Sequence, residues 1–514
     1  MKNILKNIFL GGALALMVAS CDLEPRPTTA IVIDEGKAIF TSVSDIESFR
    51  FGVLATFRSL QYGVFTQSTE VMCDAFNSLT TYGNNYGSIH RTDDTFTSSD
   101  TYAESLWASH YAAIKNYNVA IEQADLIIDE DSEFYNEKLA PYAEMLKGTA
   151  LFFRASSYLN LARLFGPDYN PDTAENDLCV PIVLEFDIND KPARSSVYDV
   201  YAQIETDLSE AEELLTDKVY QGVPRSADVT IDAIYALLAR LYLDIEEYSL
   251  AADIADAVIG SDAGYKLSST AEEMNAEFNL DSGNEPIMQM YASASEGQVG
   301  NTIYTQVSRD AKGAYFQPYY IPSKKILDAY SQNDLRFRTW FSSTKYPIFA
   351  NGERHKSIYT FIKYIGNPSP GFQVGSLENG AHAAKALMIS EMYLISAEAH
   401  YMASESADAK KSLNALQSAR KADKTEATLD NIKLEWFKET VGEGHRLTCL
   451  KRWGDGFEGR PAQTAALNAN IVNTGEYFDE RTIEPDDYVL VWPVPSYEMK
   501  LNMNLVQNPG YGVE

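Results

Sequence analysis

Apolar residues recur every three to four positions along much of the chain. Ile114, Tyr117, Ile121, Ala124 and Ile128 form one stripe, and Leu146, Ala150, Phe153, Ser157, Leu161 and Leu164 form another, stopped by Gly166-Pro167. That spacing gathers the apolar side chains on one helix face. A further helix is predicted over Val197–Leu215. The clearest pair spans residues 230–259. Thr230 can cap its first helix, and Asp232 suits the positive dipole end. Ile234, Leu238, Leu241 and Ile245 line one face, and Glu246-Glu247-Tyr248 makes a polar turn. Leu250, Ala251, Ile254, Ala255, Val258 and Ile259 line the next. Alanines between large residues let two helices approach closely, as in a tetratricopeptide hairpin. A similar pair is predicted at 387–403 and 407–421, through Met388, Met392, Ile395, Ala399 and Met402, then Ala409, Leu413 and Leu416. The pairs are degenerate and far apart, so the expectation is no continuous solenoid.

Two stretches break the helical pattern. Residues 62–105 are rich in Tyr, Asn, Thr, Ser, Asp and Gly, and residues 284–375 mix short apolar runs with Tyr, Phe, Gly and Pro. Long irregular segments are usually functional or disordered, and aromatic content argues against disorder. The predicted fold class is therefore mostly α: tetratricopeptide-like hairpins as a scaffold, long irregular loop insertions at about 62–105 and 284–375, and minor β.

The N-terminus changes the picture of where this body sits. Lys2 and Lys6 precede an apolar run from Ile8 to Ala19, and Val18-Ala19-Ser20 precede Cys21. This is a signal-peptide pattern, too short to span a bilayer comfortably. Val-Ala-Ser-Cys also resembles a bacterial lipobox, which implies acylation of Cys21 after cleavage. One acyl chain holds a protein to a membrane only marginally, and two or three hold it durably. The expected organisation is a signal peptide over 1–20, a lipid-anchored tether over 21–40 containing Pro25 and Pro27, and a single helical domain over 41–514.

The chain carries 42 Lys/Arg and 73 Asp/Glu, a formal charge of −31. Removing residues 1–20 takes away two lysines and no acid, leaving 40 against 73, or −33. Such a body repels nucleic acid and anionic headgroups, so no nucleic-acid partner is expected. Cys73, Cys179 and Cys449 are odd in number and fit no metal spacing, so they read as buried small hydrophobes.

Enzyme chemistry finds little support. His-Glu-x-x-His, Gly-x-Ser-x-Gly and a phosphate-binding glycine loop are missing. His90, His110, His355, His382, His400 and His445 show no metal-ligand spacing. No catalytic residue, metal site or cofactor is assigned. Paired acids such as Asp93-Asp94 are expected by chance among 73, so a surface glycoside hydrolase is the alternative from another class. The block Glu443 to Arg446 and Arg452-Trp453-Gly454 reads as architectural, with Arg446 able to fork onto a carboxylate. Binding candidates lie in the loops, because sugar rings stack on aromatic faces while their hydroxyls need directional polar partners. The first set is Asp74, Asn77, Tyr82, Asn84, Asn85, Tyr86, His90 and Arg91. The second is Tyr291, Tyr315, Phe316, Tyr319 and Tyr320. A neutral or weakly charged oligosaccharide is the expected ligand.

Ordered motifs along the whole chain carry a family resemblance. Acidic Asp22 and Glu24 follow the lipobox. Trp107, Tyr111, Ile114, Asn118 and Ala120 come next, then Ala236-Leu-Leu-Ala-Arg-Leu-Tyr-Leu243 and Asn333-Asp-Leu-Arg336. Glu391-Met-Tyr-Leu-Ile-Ser-Ala-Glu-Ala399, Gly442-Glu-Gly-His-Arg446 and Lys451-Arg-Trp-Gly-Asp455 follow. Trp492-Pro-Val-Pro495, Asn504 and Gln507-Asn-Pro-Gly-Tyr511 close the series. In this order they resemble the SusD/RagB family of Bacteroidota nutrient-binding lipoproteins. The resemblance implies a surface-facing, lipid-anchored protein of the outer membrane. It implies a SusC-like TonB-dependent barrel transporter as partner, and capture of oligosaccharides or, in some branches, peptides. The central block shows no signature for a particular sugar.

Overall fold

The two longest apolar stripes become the two longest helices, Thr101–Ile128 and Ala140–Phe165. The computed structural model describes residues 38–512 apart from 81–84, 186, 188, 220, 292–301, 369–377, 379, 465–469 and 474–481. The expected signal peptide, Cys21 and most of the tether lie outside the described residues, as do Tyr82 and Asn84.

The scaffold helices are α1 (Val43–Ser59), α2 (Val64–Met72), α3 (Thr101–Ile128), α4 (Ala140–Phe165), α5 (Val197–Leu215), α6 (Ile231–Asp244) and α7 (Tyr248–Ile259). After a long insertion come α8 (Ile389–Met402), α9 (Ser406–Ala419), α10 (Leu429–Glu439) and α11 (Arg446–Trp453). Asp100, Ser196, Thr230 and Thr428 each accept a backbone N–H from the first turn of the helix they precede. Each cap satisfies a donor that the helix cannot satisfy itself. Gly166 stops α4, as expected. From Gly148 to Leu159 every residue of α4 is buried, because α1, α3 and α5 all pack on it.

Neighbours in the row are α3 on α4, α4 on α5, α5 on α6, α6 on α7, α7 on α8 and α8 on α9. This corrects the expectation that the two hairpins stand apart. Ser396 and His400 of α8 reach the Asp256 carboxylate of α7 at 2.6 and 3.2 Å. The hairpins therefore form one continuous stack, with residues 260–388 looped out of it.

Forked ion pairs join the stack. Arg154 of α4 grips Asp207 of α5 at 2.8 and 2.7 Å. Arg240 of α6 grips Glu391 of α8 at 2.6 and 2.5 Å. Arg452 of α11 grips Glu398 of α8 at 3.1 and 2.8 Å. A buried charge without such a partner costs several kcal/mol. A larger network centres on Arg420, fully buried after α9. It donates to the Ser268 carbonyl, to Glu285 and to Glu439. Glu439 also receives Arg336, which forks onto Asp334.

Strands enter with the insertion. β1 (Phe76–Ser78) pairs with β5 (Tyr320–Pro322), and β2 (Pro286–Met290) with β10 (Ala384–Met388), which closes the neck of the insertion. β3 (Val307–Asp310), β4 (Gly313–Phe316), β7 (Ile348–Ala350) and β8 (Glu353–His355) make a four-stranded sheet in that order, and β6 (Phe341–Ser342) pairs with β9 (Thr360–Phe361). A small core of Leu79, Phe316, Ile321, Ile348 and Ile471 lies under this sheet, separate from the scaffold core.

The segment 62–105 is not the irregular loop its composition suggests. It holds α2, β1 and a short helix over Gly87–Arg91. Its polar residues are enclosed and partnered: Glu70 is buried and accepts the Gly444 N–H at 3.0 Å. Burial pushes the Glu70 carboxyl from 4.5 up to about 7, against the pull of the Gly442 and Gly444 N–H groups. Below pH 4.5 the folded and unfolded chains both hold this proton. As pH rises through 7 the unfolded chain is already ionised, and the folded state loses the group's contribution. Glu70 alone therefore lowers the unfolding midpoint as pH rises between about 4.5 and 7. Glu70→Gln should flatten part of that fall, which melting curves at several pH values would read. Parallel curves for wild type and variant would contradict it.

Candidate ligand-binding face

Alternation along β3, β4, β7 and β8 sorts their side chains onto two faces. Phe316 and Ile348, paired in register, point into the small core. Ser308, Tyr315, Phe349 and Arg354 therefore occupy the outer face, since Ser308 pairs with Tyr315 and Phe349 with Arg354. The Tyr315 and Phe349 rings lie 5.2 Å apart at 46°, and the Arg354 guanidinium sits 4.5 Å over Tyr315. Asp310 holds that guanidinium at 2.5 Å, and Arg354 also donates to the Gly313 carbonyl at 3.0 Å. The Asp310 carboxyl is lowered by the Lys312 backbone N–H and by Arg354.

One end of this aromatic platform opens into a shallow depression of about 340 Å³ lined by Gln306, Gln317, Tyr319, Phe349 and Asn351. Amides and aromatic rings alternate around it. Ser308 donates to the Gln317 side-chain oxygen at 2.8 Å. Asn351 accepts from the Thr80 hydroxyl at 2.8 Å and donates to the Asn470 carbonyl at 2.7 Å. Rings with amide donors and acceptors beside them suit the apolar faces and hydroxyls of a sugar.

The β1–β5 pairing brings the two predicted loop sets together, with Ser78 opposite Tyr320 and the Leu79 N–H bonded to the Tyr319 carbonyl at 2.9 Å. Of the predicted residues, Tyr315 and Tyr319 reach this face. Others stand behind it. Asp74 is fully buried and binds Arg446 and Lys325, and that fork draws its carboxyl down despite burial. Asn77 is fully buried in β1 and donates to the Arg460 carbonyl. Phe316 is core. Tyr320 is enclosed, its hydroxyl donating to the Asn85 carbonyl and its ring meeting His90 edge-on at 5.1 Å. Tyr86 is 8% exposed and packs on Tyr102 at 4.5 Å. His90 is buried, its Nδ1 2.6 Å from the Val71 carbonyl, and burial lowers its pKa. Asp74, Asn77, Tyr86, His90, Phe316 and Tyr320 thus offer a ligand no free surface, because tertiary packing encloses a segment that composition alone makes look exposed. Arg91 is tied to Asp93 and Thr95. Tyr291 is 61% exposed, and its carbonyl accepts from Arg58 of α1 at 2.9 Å.

Phe349, Asn351, Arg354, Gln306 and Gln317 went unread in the sequence. A signal was available: Asn351-Gly352 after the short apolar run Ile348–Ala350, the favoured two-residue hairpin turn. Both residues have positive φ, 51° and 81°.

Comparison with known proteins settles the family. Residues 46–243 match a family described as starch-binding and associating with the outer membrane, and residues 284–511 match the SusD family. The chain belongs to the SusD family. A putative sugar binding protein from Bacteroides vulgatus is 26% identical, with TM-score 0.72 over 93% of this chain and all of its own. A SusD superfamily protein from Bacteroides thetaiotaomicron shares the fold at 23% identity and TM-score 0.72, over 90% of this chain and 99% of its own. So does a laminarin binding SusD-like protein at 20% and 0.66, over 91% and 99%. Among curated proteins none matches. No described helix is long and apolar enough to cross a membrane, and no group of three potential metal ligands occurs among the described residues.

Proposed function

We propose that this SusD-family chain is a cell-surface lipoprotein, anchored through Cys21, that captures oligosaccharides on the outer face of the four-stranded sheet. It hands them to a SusC-like TonB-dependent transporter in the outer membrane. The observation that carries the capture reading is the Tyr315–Phe349 platform opening into a depression lined by amides. Its support sits on the scaffold through β1–β5, so the rings are held in place before a ligand arrives, which lowers the cost of ordering them on binding. Binding without catalysis is the reading favoured at this face, where Asp310 is engaged by Arg354 and no carboxylate is among the described residues that line the depression. A glycosidase needs two carboxyl groups flanking one bond.

Incubating the purified protein with oligosaccharides tests this reading. Calorimetric binding with unchanged oligosaccharides supports capture, and released products would replace it with hydrolysis. Capture of peptides alone would move the substrate and leave uptake in place. Cys21→Ala is expected to release the protein from membranes in its native host. A variant that stays in the detergent-free membrane fraction would sink the anchor. Purification from mildly solubilised outer membranes is expected to recover a large barrel protein with it, and consistent recovery of the lipoprotein alone would count against the partner.

A further inference from the structure

The charge of the binding sheet runs opposite to that of the chain around it. Over all 514 residues acids outnumber cations 73 to 42. Residues 307–316 and 345–356, which build the sheet, carry Arg309, Lys312, Lys345, Arg354 and Lys356 against only Asp310 and Glu353. Alternation through β8 puts Arg354 on the face of Tyr315 and Phe349, and Lys356 follows two residues later. Lys312 lies in the β3–β4 turn, next to Asp310. The side chains of Lys312 and Lys356 are exposed and make no hydrogen bond or ion pair with a described residue. Asp310 is set against Arg354 and Glu353 is the one other acid of these two segments, so cations remain in excess around the platform. Beneath the same edge strand, Arg309 lines a second depression of about 500 Å³ beside Tyr346, where Lys345 is paired with Glu378 at 3.3 Å.

We infer that the platform takes an anionic glycan, one bearing uronate carboxylates or sulfate esters. The inference rests on the capture reading and departs from the neutral or weakly charged ligand expected from the sequence. A neutral sugar gains nothing from solvated lysines at the rim. An acidic one is repelled at long range by the body's net charge, but salt screens that field beyond roughly 8–10 Å. Inside that distance the nearest charges decide, and here cations outnumber acids five to two along the two segments. The Arg354 guanidinium, seated over Tyr315 beside the Phe349 ring, adds a planar donor set that matches carboxylate or sulfate oxygens.

Calorimetry on the full chain tests it. The probes are an oligogalacturonide, an alginate oligomer and a chondroitin sulfate oligomer. Each is paired with its carboxyl-reduced or desulfated counterpart, beside neutral laminarin oligosaccharides and an acidic peptide, at about 50 and about 500 mM salt. At least one acidic glycan is expected to bind, with its neutral counterpart about tenfold or more weaker and its own affinity falling about tenfold at high salt. Lys312→Ala with Lys356→Ala should lower that affinity about tenfold and reduce its salt dependence, at unchanged melting temperature. Equal binding of a neutral partner, salt-independent laminarin binding, or an acidic-glycan affinity untouched by the double substitution overturns the inference and leaves capture standing. Binding of no glycan, or of the peptide alone, overturns both.

Discussion

Replacing Arg420 by methionine is expected to destabilise the protein by about 3–5 kcal/mol, a large share of the roughly 5–15 kcal/mol that holds a typical domain folded. The guanidinium is fully buried between Glu285, at the start of β2, and Glu439, at the end of α10. Methionine fills similar volume but strands both carboxylates. Part of the loss should return when Glu285→Gln and Glu439→Gln are added, because the stranded charges and not the missing attraction dominate the cost. Glu439 also meets Arg336, so the recovery should be incomplete. Urea unfolding of the two variants reads this directly. A loss below about 1 kcal/mol for Arg420→Met would mean that the network contributes no more than surface pairs do.

The second large effect belongs to the platform. Tyr315→Ala and Phe349→Ala together are expected to weaken glycan binding about a hundredfold, each ring contributing on the order of 1–2 kcal/mol. Both side chains are partly exposed, so the fold should tolerate the change. Trp453→Ala is the control. Trp453 donates its indole N–H to Glu398 at 2.7 Å and lies outside the platform, so its loss should lower the melting temperature and leave affinity in place. A platform variant that binds as the wild type does would place the ligand elsewhere.

Much of the scaffold was legible because its motifs are its joints. Arg240 in Ala-Leu-Leu-Ala-Arg grips Glu391 in Glu-Met-Tyr. Glu398 of the same helix receives Arg452 and Trp453 of Lys-Arg-Trp. Asn508 of Gln-Asn-Pro-Gly donates to the carbonyls of Phe165 and Trp492. Residues that meet across long separations in the chain need particular chemistry, and that chemistry stands out in one sequence. The predicted helices at 197–215 and 230–259 also hold, since periodicity and caps agree there. Arg446, read as able to fork onto a carboxylate, does so at 2.9 Å. Its partner is Asp74, which sequence reasoning had assigned to the ligand.

That exchange shows what composition cannot tell. Asn, Tyr and Asp look the same in a sequence whether they face a sugar or a carbonyl of the core. Asn77 and Tyr320 are enclosed because β1 and β5 pair across more than two hundred residues, and no local pattern announces that partner. The adjacency of the two hairpins was hidden for the same reason. Their shared face is written in residues on either side of the insertion, and only the packing of α8 on α7 joins them.

The looped-out insertion also dictates an order of events as the chain folds. Helix α7 is complete at Ile259, yet the helix that covers it begins at Ile389. A polypeptide emerging from its N-terminus presents the apolar side of α7 to water until those later residues arrive. The entropic cost of closing so long a loop grows only slowly with its length, so the native state tolerates the separation. The transient does not benefit from that tolerance, since exposed apolar surface in a half-finished chain invites aggregation. The β2–β10 neck, by clasping Pro286 to Met388 directly before α8, shortens the effective loop from the 130 positions between Ile259 and Ile389 to the 27 between Ile259 and Pro286.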